Sequence, residues 1–117
     1  MASRGYKDLI VWQRAIELAK LAYELVKNFP KEELFGLTSQ IKRATTSIPA
    51  NIAEGSGRKT TKDFKHFLAI AYGYSLELET HLLLSRELGF GNEHDYDKTE
   101  NKPIEVQKML YKMKQDA

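Results

Sequence analysis

Apolar residues recur at helical rather than strand spacing along nearly the whole chain. Between about Asp8 and Asn28, Val11, Ala15, Leu18, Ala22, Leu25 and Phe29 follow one heptad seam. Leu9, Trp12, Ile16, Ala19, Tyr23 and Val26 follow a second. Two adjacent seams make an apolar arc wider than one partner helix covers. This helix is therefore expected either at the centre of a bundle or facing another subunit as well. Asp8 stands where an N-cap is needed, and Phe29-Pro30 stops the run.

A second helix is expected from about Leu37 to Glu54, after a short turn over Glu32 to Phe35. Leu37, Ile41, Ala44, Ile48 and Ile52 fall on one side of it. Gln40, Arg43, Ser47, Asn51, Glu54 and Arg58 form a stripe on the opposite side that is polar, free of lysine and rich in hydrogen-bonding groups. A solvated helix face favours Lys and Glu at i, i+4 spacing. The stripe is instead suited to a partly buried seam in which each donor meets an acceptor. Pro49 removes one helical hydrogen bond and predicts a kink. Gly55-Ser56-Gly57 is expected to end the helix through a left-handed glycine cap.

A third helix is predicted from Thr60 or Thr61 to about Leu88, with Thr60 and Asp63 placed as a capping box and Gly89 as its end. Its core stripe is Phe64, Phe67, Leu68, Ala71, Tyr74, Ser75, Leu78, Leu82 and Ser85. Gly73 costs roughly 1 kcal/mol in a helix interior, which a close approach to another helix would explain. Tyr72 then points away from the core. The span from Gly91 to Lys102 is polar and acidic and reads as a loop. Pro103 suits the first turn of a last helix, from about Lys102 to Lys114, with Val106, Met109, Leu110 and Met113 as its apolar stripe. No segment alternates like a strand. Four amphipathic helices with short links predict an all-α antiparallel up-down four-helix bundle, one domain over residues 1–117.

Composition narrows the function classes. The chain has 117 residues, no cysteine, and 18 basic against 16 acidic residues for a net charge of +2. Absence of cysteine removes disulfides, thiolate metal sites and cysteine nucleophiles, and fits a reducing compartment. The N-terminus lacks the apolar core of a signal peptide, and no apolar run is long enough to span a bilayer. A cytoplasmic protein without membrane contact is expected.

Charge is nevertheless polarised along the chain. Lys42, Arg43, Arg58, Lys59, Lys62 and Lys65 gather around the second interhelix turn against Glu54 and Asp63. Acids dominate from Glu87 to Glu105. The basic turn suits phosphates of an RNA or DNA backbone; the competing reading is a solvated helix start with incidental lysines. Gly55 to Thr60 lacks the spacing and the preceding strand of a nucleotide-binding loop. Glu77 and His81 are four residues apart rather than three and have no second pair, so a helical di-iron site is not expected. Arg43 and Glu54 share a face three turns apart, and Glu77 or Glu79 is the expected partner of Arg43. No nucleophile and base stand together, so neither an enzyme nor a cofactor is expected.

The strings Leu9 to Ala15, Phe35 to Ala44, Ser47 to Gly55 (Ser-Ile-Pro-Ala-Asn-Ile-Ala-Glu-Gly) and Phe67 to Ala71 resemble the bundle proteins encoded in bacterial 23S rRNA intervening sequences. The resemblance covers about residues 6–90. It implies a small up-down bundle assembled into a homo-oligomeric ring, typically a pentamer. More distantly, the chain is similar to accessory bundle proteins of diversity-generating retroelements, which implies RNA and a reverse transcriptase or ribonucleoprotein as partners. No catalytic residue is carried over. At the matching positions, Gln40, Arg43, Ser47, Asn51, Glu54 and Arg58 take structural or interfacial roles. The rival expectation is an assembly unit that binds only protein.

Overall fold

The computed structural model describes residues 5–117; the first residues of the N-terminal tract read above, 1–4, lie outside the described residues. Among the described residues the chain is helical throughout, with no strand. The helices are α1 (Ile10–Val26), α2 (Leu37–Ser56), α3 (Thr61–Glu87), α4 (Glu93–Thr99) and α5 (Lys102–Asp116). Short 3₁₀ turns at Gly5–Asp8 and Lys31–Glu33 precede α1 and α2. The four long helices alternate in direction. α1 packs on α2 and α5, and α3 packs on the same two, giving an up-down bundle of 45 × 25 × 21 Å.

The first seam of α1 is the core as expected: Val11, Ala15, Leu18, Ala22, Leu25 and Phe29 are all buried. Ile41, Ala44, Ile48 and Ile52 of α2, Leu68, Ala71, Leu78 and Leu82 of α3, and Val106 and Leu110 of α5 meet them. The second α1 seam is only partly covered. Val26 is buried and Leu9 and Trp12 pack against the core, but Tyr23 is exposed. One bundle has no further helix to place over it.

Several local expectations are corrected. The N-cap of α1 is Leu9, with no side-chain cap, because Asp8 is taken up in the 3₁₀ turn. α2 continues through Gly55 to Ser56, and Gly57 caps it at φ −86°, on the right-handed side, so no left-handed glycine ends this helix. The left-handed glycine cap belongs to α3: Gly89 lies at φ +79°, and the Phe90 N–H donates to the Ser85 carbonyl at 3.0 Å. That bond across the last turn satisfies carbonyls the helix itself leaves open. At the other end of α3, Thr60 Oγ1 accepts the Asp63 N–H at 3.1 Å, the predicted cap. Gly73 makes no close helix approach, since a methyl group there would meet nothing within 4 Å. Tyr72 does not point away; it packs against the core, its ring 6.5 Å from that of Tyr111.

The segment expected as a loop contains α4. Asn92 Oδ1 accepts the Asp95 N–H at 2.9 Å to start it. Tyr96 anchors it, 1 % exposed, with its hydroxyl donating to the Phe90 carbonyl at 2.7 Å. Burial pushes the Tyr96 phenol up to about 12. Above α4, Arg86 of α3 reaches Glu93, Asp97 and Glu100, and its guanidinium lies over the Tyr96 ring.

α2 runs unbroken through Pro49. Proline has no N–H to give to the Thr45 carbonyl one turn back. The Thr45 hydroxyl is also fully buried and without a hydrogen-bond partner. An unsatisfied buried hydroxyl costs about 1–3 kcal/mol, and Val matches Thr in shape and helix propensity. Thr45→Val is expected to stabilise the fold by about 1 kcal/mol, read as a higher urea midpoint at unchanged slope. A lower midpoint would mean the hydroxyl is satisfied in solution.

Candidate nucleic-acid interface

α2 ends and α3 begins at the same end of the bundle, and their junction gathers Arg58, Lys59, Lys62 and Lys65. Gly55 sets how tightly this junction closes. A Cβ at this buried position would stand 2.7 Å from Phe67 Cβ and 3.4 Å from the Phe64 carbonyl. Alanine would gain up to about 1 kcal/mol in helix propensity. The clash is with a Cβ next to backbone and cannot swing aside, and such overpacking costs about 1–3 kcal/mol. Gly55→Ala is therefore expected to lower stability by about 1–2 kcal/mol in a denaturant titration. A gain in stability would show that α2 and α3 separate freely here.

Arg58 is held on the resulting surface from two sides. Its Nη2 donates to Glu54 Oε1 at 3.2 Å, and its guanidinium lies over the Phe67 ring at 4.8 Å. Lys59 and Lys62 are exposed and Lys65 is half-buried; none has an ion-pair partner among the described residues. Beside them is an open cleft of about 390 Å³ whose walls include Gly5, Leu9, Gly55, Ser56, Thr61 and Phe64. Leu9 also lines a second, apolar cleft with Met109, Lys112, Met113 and Asp116. The C-terminal turn of α5, with Lys112 and Lys114, thus adjoins the same end. The sequence reading did not include these two lysines, although the up-down topology it expected returns them to the end that carries Lys59. The opposing acids at this end are Asp8, Glu54, Asp63 and Asp116.

Two of the expected cations stand elsewhere. Lys42 and Arg43 precede Arg58 by four turns of one helix, about 22–24 Å at 1.5 Å per residue. Lys42 Nζ lies over the Tyr23 ring at 5.1 Å. Arg43 Nη2 donates to Glu77 Oε2 at 3.1 Å, the partner expected from sequence, and to Gln40 Oε1 at 3.1 Å. With 53 % of the Arg43 side chain exposed, that pair contributes under about 1 kcal/mol. The rest of the polar stripe bonds mostly along its own helix. Ser47 Oγ donates to the Arg43 carbonyl at 2.7 Å and Asn51 Nδ2 to the Ser47 carbonyl at 2.8 Å. Gln40, Arg43, Glu54 and Arg58 are exposed and Ser47 and Asn51 half-buried, so a single chain does not bury the stripe.

The opposite end is acidic. Arg86 binds Glu93, Asp97 and Glu100 at the far end of α3, whose 27 residues span about 40 Å, and Glu87 and Asp95 stand in the same stretch against Lys98 and Lys102. Among the described residues, no helix is long and apolar enough to cross a membrane.

The model of the 23S rRNA-intervening sequence protein family matches residues 7–112. A crystal structure of a protein of unknown function from the S23 ribosomal protein family of Bacteroides thetaiotaomicron superposes with a TM-score of 0.78 at 28% sequence identity. The superposition covers 89% of this chain and 97% of that one. No curated protein matches. The chain belongs to the 23S rRNA-intervening sequence protein family.

Proposed function

We propose that this protein is a non-enzymatic, cytoplasmic, homo-oligomeric bundle, a pentameric ring in keeping with its family resemblance, that binds structured RNA or a ribonucleoprotein through its basic end. The carrying observation is the charge axis of the protomer: Arg58, Lys59, Lys62, Lys65, Lys112 and Lys114 at one end and the Arg86 acid cluster at the other. A net charge of +2 is too small to draw RNA to the molecule as a whole. Segregation changes this. In a ring whose bundles run along the symmetry axis, cyclic symmetry puts every basic end on one face. Phosphate binding by these residues releases counterions and is steeply salt-dependent. The test is titration of a structured RNA at increasing salt. Binding that weakens about tenfold or more between 50 and 200 mM salt supports the reading, and no binding at the lowest salt overturns it.

A protein-only assembly unit is the second reading. It is favoured by the apolar side chains a single bundle leaves in water, among them Leu76, Leu83, Leu84 and Leu88 of α3. Retained oligomer mass with no RNA binding is its expected signature.

A further inference from the structure

Phe35 is 92 % exposed, more than any other large apolar side chain among the described residues. It is not on a loose loop. The Lys31–Glu33 turn is closed by Glu33 N–H to the Pro30 carbonyl at 3.0 Å and Leu34 N–H to the Lys31 carbonyl at 3.1 Å. On the other side of Phe35, the Gly36 N–H donates to the Glu33 carbonyl at 3.0 Å, and the Leu37 N–H to Glu33 Oε1 at 3.1 Å. The backbone therefore presents the ring outward at a fixed place, with its apolar area unused by the bundle.

The same chain carries an open groove on α1. Ile16, Ala19, Lys20 and Tyr23 occupy i, i+3, i+4 and i+7 on the outer face of α1, the four corners of a hole that receives one side chain of a facing element. Ala19 makes the floor low between Ile16 and Tyr23, and these residues line an open groove of about 590 Å³. The net charges around the two parts are opposite: Lys31, Glu32 and Glu33 before Phe35 leave one negative charge, and Lys20, Glu24 and Lys27 along the groove leave one positive charge. Lys20 in the groove has no ion-pair partner among the described residues, nor has Glu32 beside Phe35. Glu24 at the groove edge is paired with Lys27 at 2.9 Å and leaves Lys20 unopposed.

We propose that Phe35 of one copy seats in the α1 groove formed by Ile16, Ala19, Lys20 and Tyr23 of a second copy. The inference rests on the homo-oligomeric reading and names its anchor. Knob and groove are different surfaces, so the contact is head-to-tail, the kind that closes into rings when the rotation allows.

Phe35→Ala tests it cleanly, because the bundle does not use this side chain. Circular dichroism and the melting temperature of the monomer are expected to be unchanged. Self-association, read by light scattering across a concentration series, is expected to weaken about 30-fold or more, as for a buried aromatic anchor. The chain has no cysteine, so Glu32→Cys and Lys20→Cys proteins, both of which keep Phe35, can be mixed and treated with a short bis-maleimide. A crosslinked dimer is expected in the mixture and in neither variant alone. Wild-type mass retained by Phe35→Ala overturns the proposal and leaves the oligomer reading standing; a monomeric wild type overturns both. Loss of association without the mixed crosslink overturns the groove as the receptor.

Discussion

Tyr96→Ala is expected to lower global stability by about 3–5 kcal/mol, the cost of truncating a large, fully buried aromatic. The side chain closes one end of the bundle. α4 packs on α1, and Tyr96 belongs to the same core cluster as Leu25 and Phe29. Its loss opens a cavity and frees the Phe90 carbonyl from the Tyr96 hydroxyl. The Arg86 network is a poor substitute. Glu93 and Asp97 are 74 % and 68 % exposed, so water and salt screen those pairs. Tyr96→Phe separates the two contributions: it keeps the packing, loses only the hydrogen bond, and is expected to cost about 1 kcal/mol. The measurement is chemical denaturation of all three proteins. If Tyr96→Ala costs under about 1 kcal/mol, α4 is an appended turn rather than part of the cooperative fold.

α4 leaves little periodic signal in the sequence. Its seven residues complete fewer than two turns, and its buried positions are Tyr96 and Thr99 alone. Periodicity needs repetition, and here there is none. The readable signal was the cap: Asn92 followed three residues later by Asp95, with acids in the first turn. The long helices were legible because each repeats its apolar spacing over several turns; the first α1 seam is buried at every position.

The polar stripe of α2 shows a different limit. Ser47 and Asn51 were expected to need partners on another surface. A helix can satisfy such side chains from its own carbonyl one turn back, as both do here. Residue type alone does not reveal which acceptor is used. Arg43 was readable because its long side chain and the carboxylates of α3 left few pairings. Gly73 departs from expectation for the opposite reason: a mid-helix glycine that costs stability implies a neighbour, and among the described residues there is none. The basic cluster was half legible. Lys59, Lys62 and Lys65 are close in sequence and in space, whereas Lys42 and Arg43 are close only on paper, because 1.5 Å of rise per residue carries them far along α2. Lys112 and Lys114 were within reach of the sequence, since an up-down bundle returns the end of the last helix to the start of the third.

Reversing Lys59, Lys62 and Lys65 together to glutamate is expected to abolish RNA binding while leaving the bundle at least as stable. The two effects have opposite signs, and this makes the variant informative. Lys62 sits in the first turn of α3, where the positive end of the helix dipole disfavours cations and welcomes carboxylates; each such exchange is worth about 0.3–1 kcal/mol. Asp63 already follows that rule and Lys62 breaks it. Lys62 opposes its own helix and has no ion-pair partner among the described residues, as the proposed phosphate-binding surface requires. With glutamate there the helix start improves, and the melting temperature is expected to hold or rise. RNA affinity is expected to fall about 100-fold or more at low salt, because each lost phosphate contact removes a released counterion and flattens the salt dependence by about one contact. Light scattering on the same samples is expected to return the wild-type mass, since these lysines lie at the end of the bundle and not in the α1 groove. Unchanged RNA affinity in the triple variant would transfer the binding surface away from this end, and with it the role assigned to the junction that Gly55 closes.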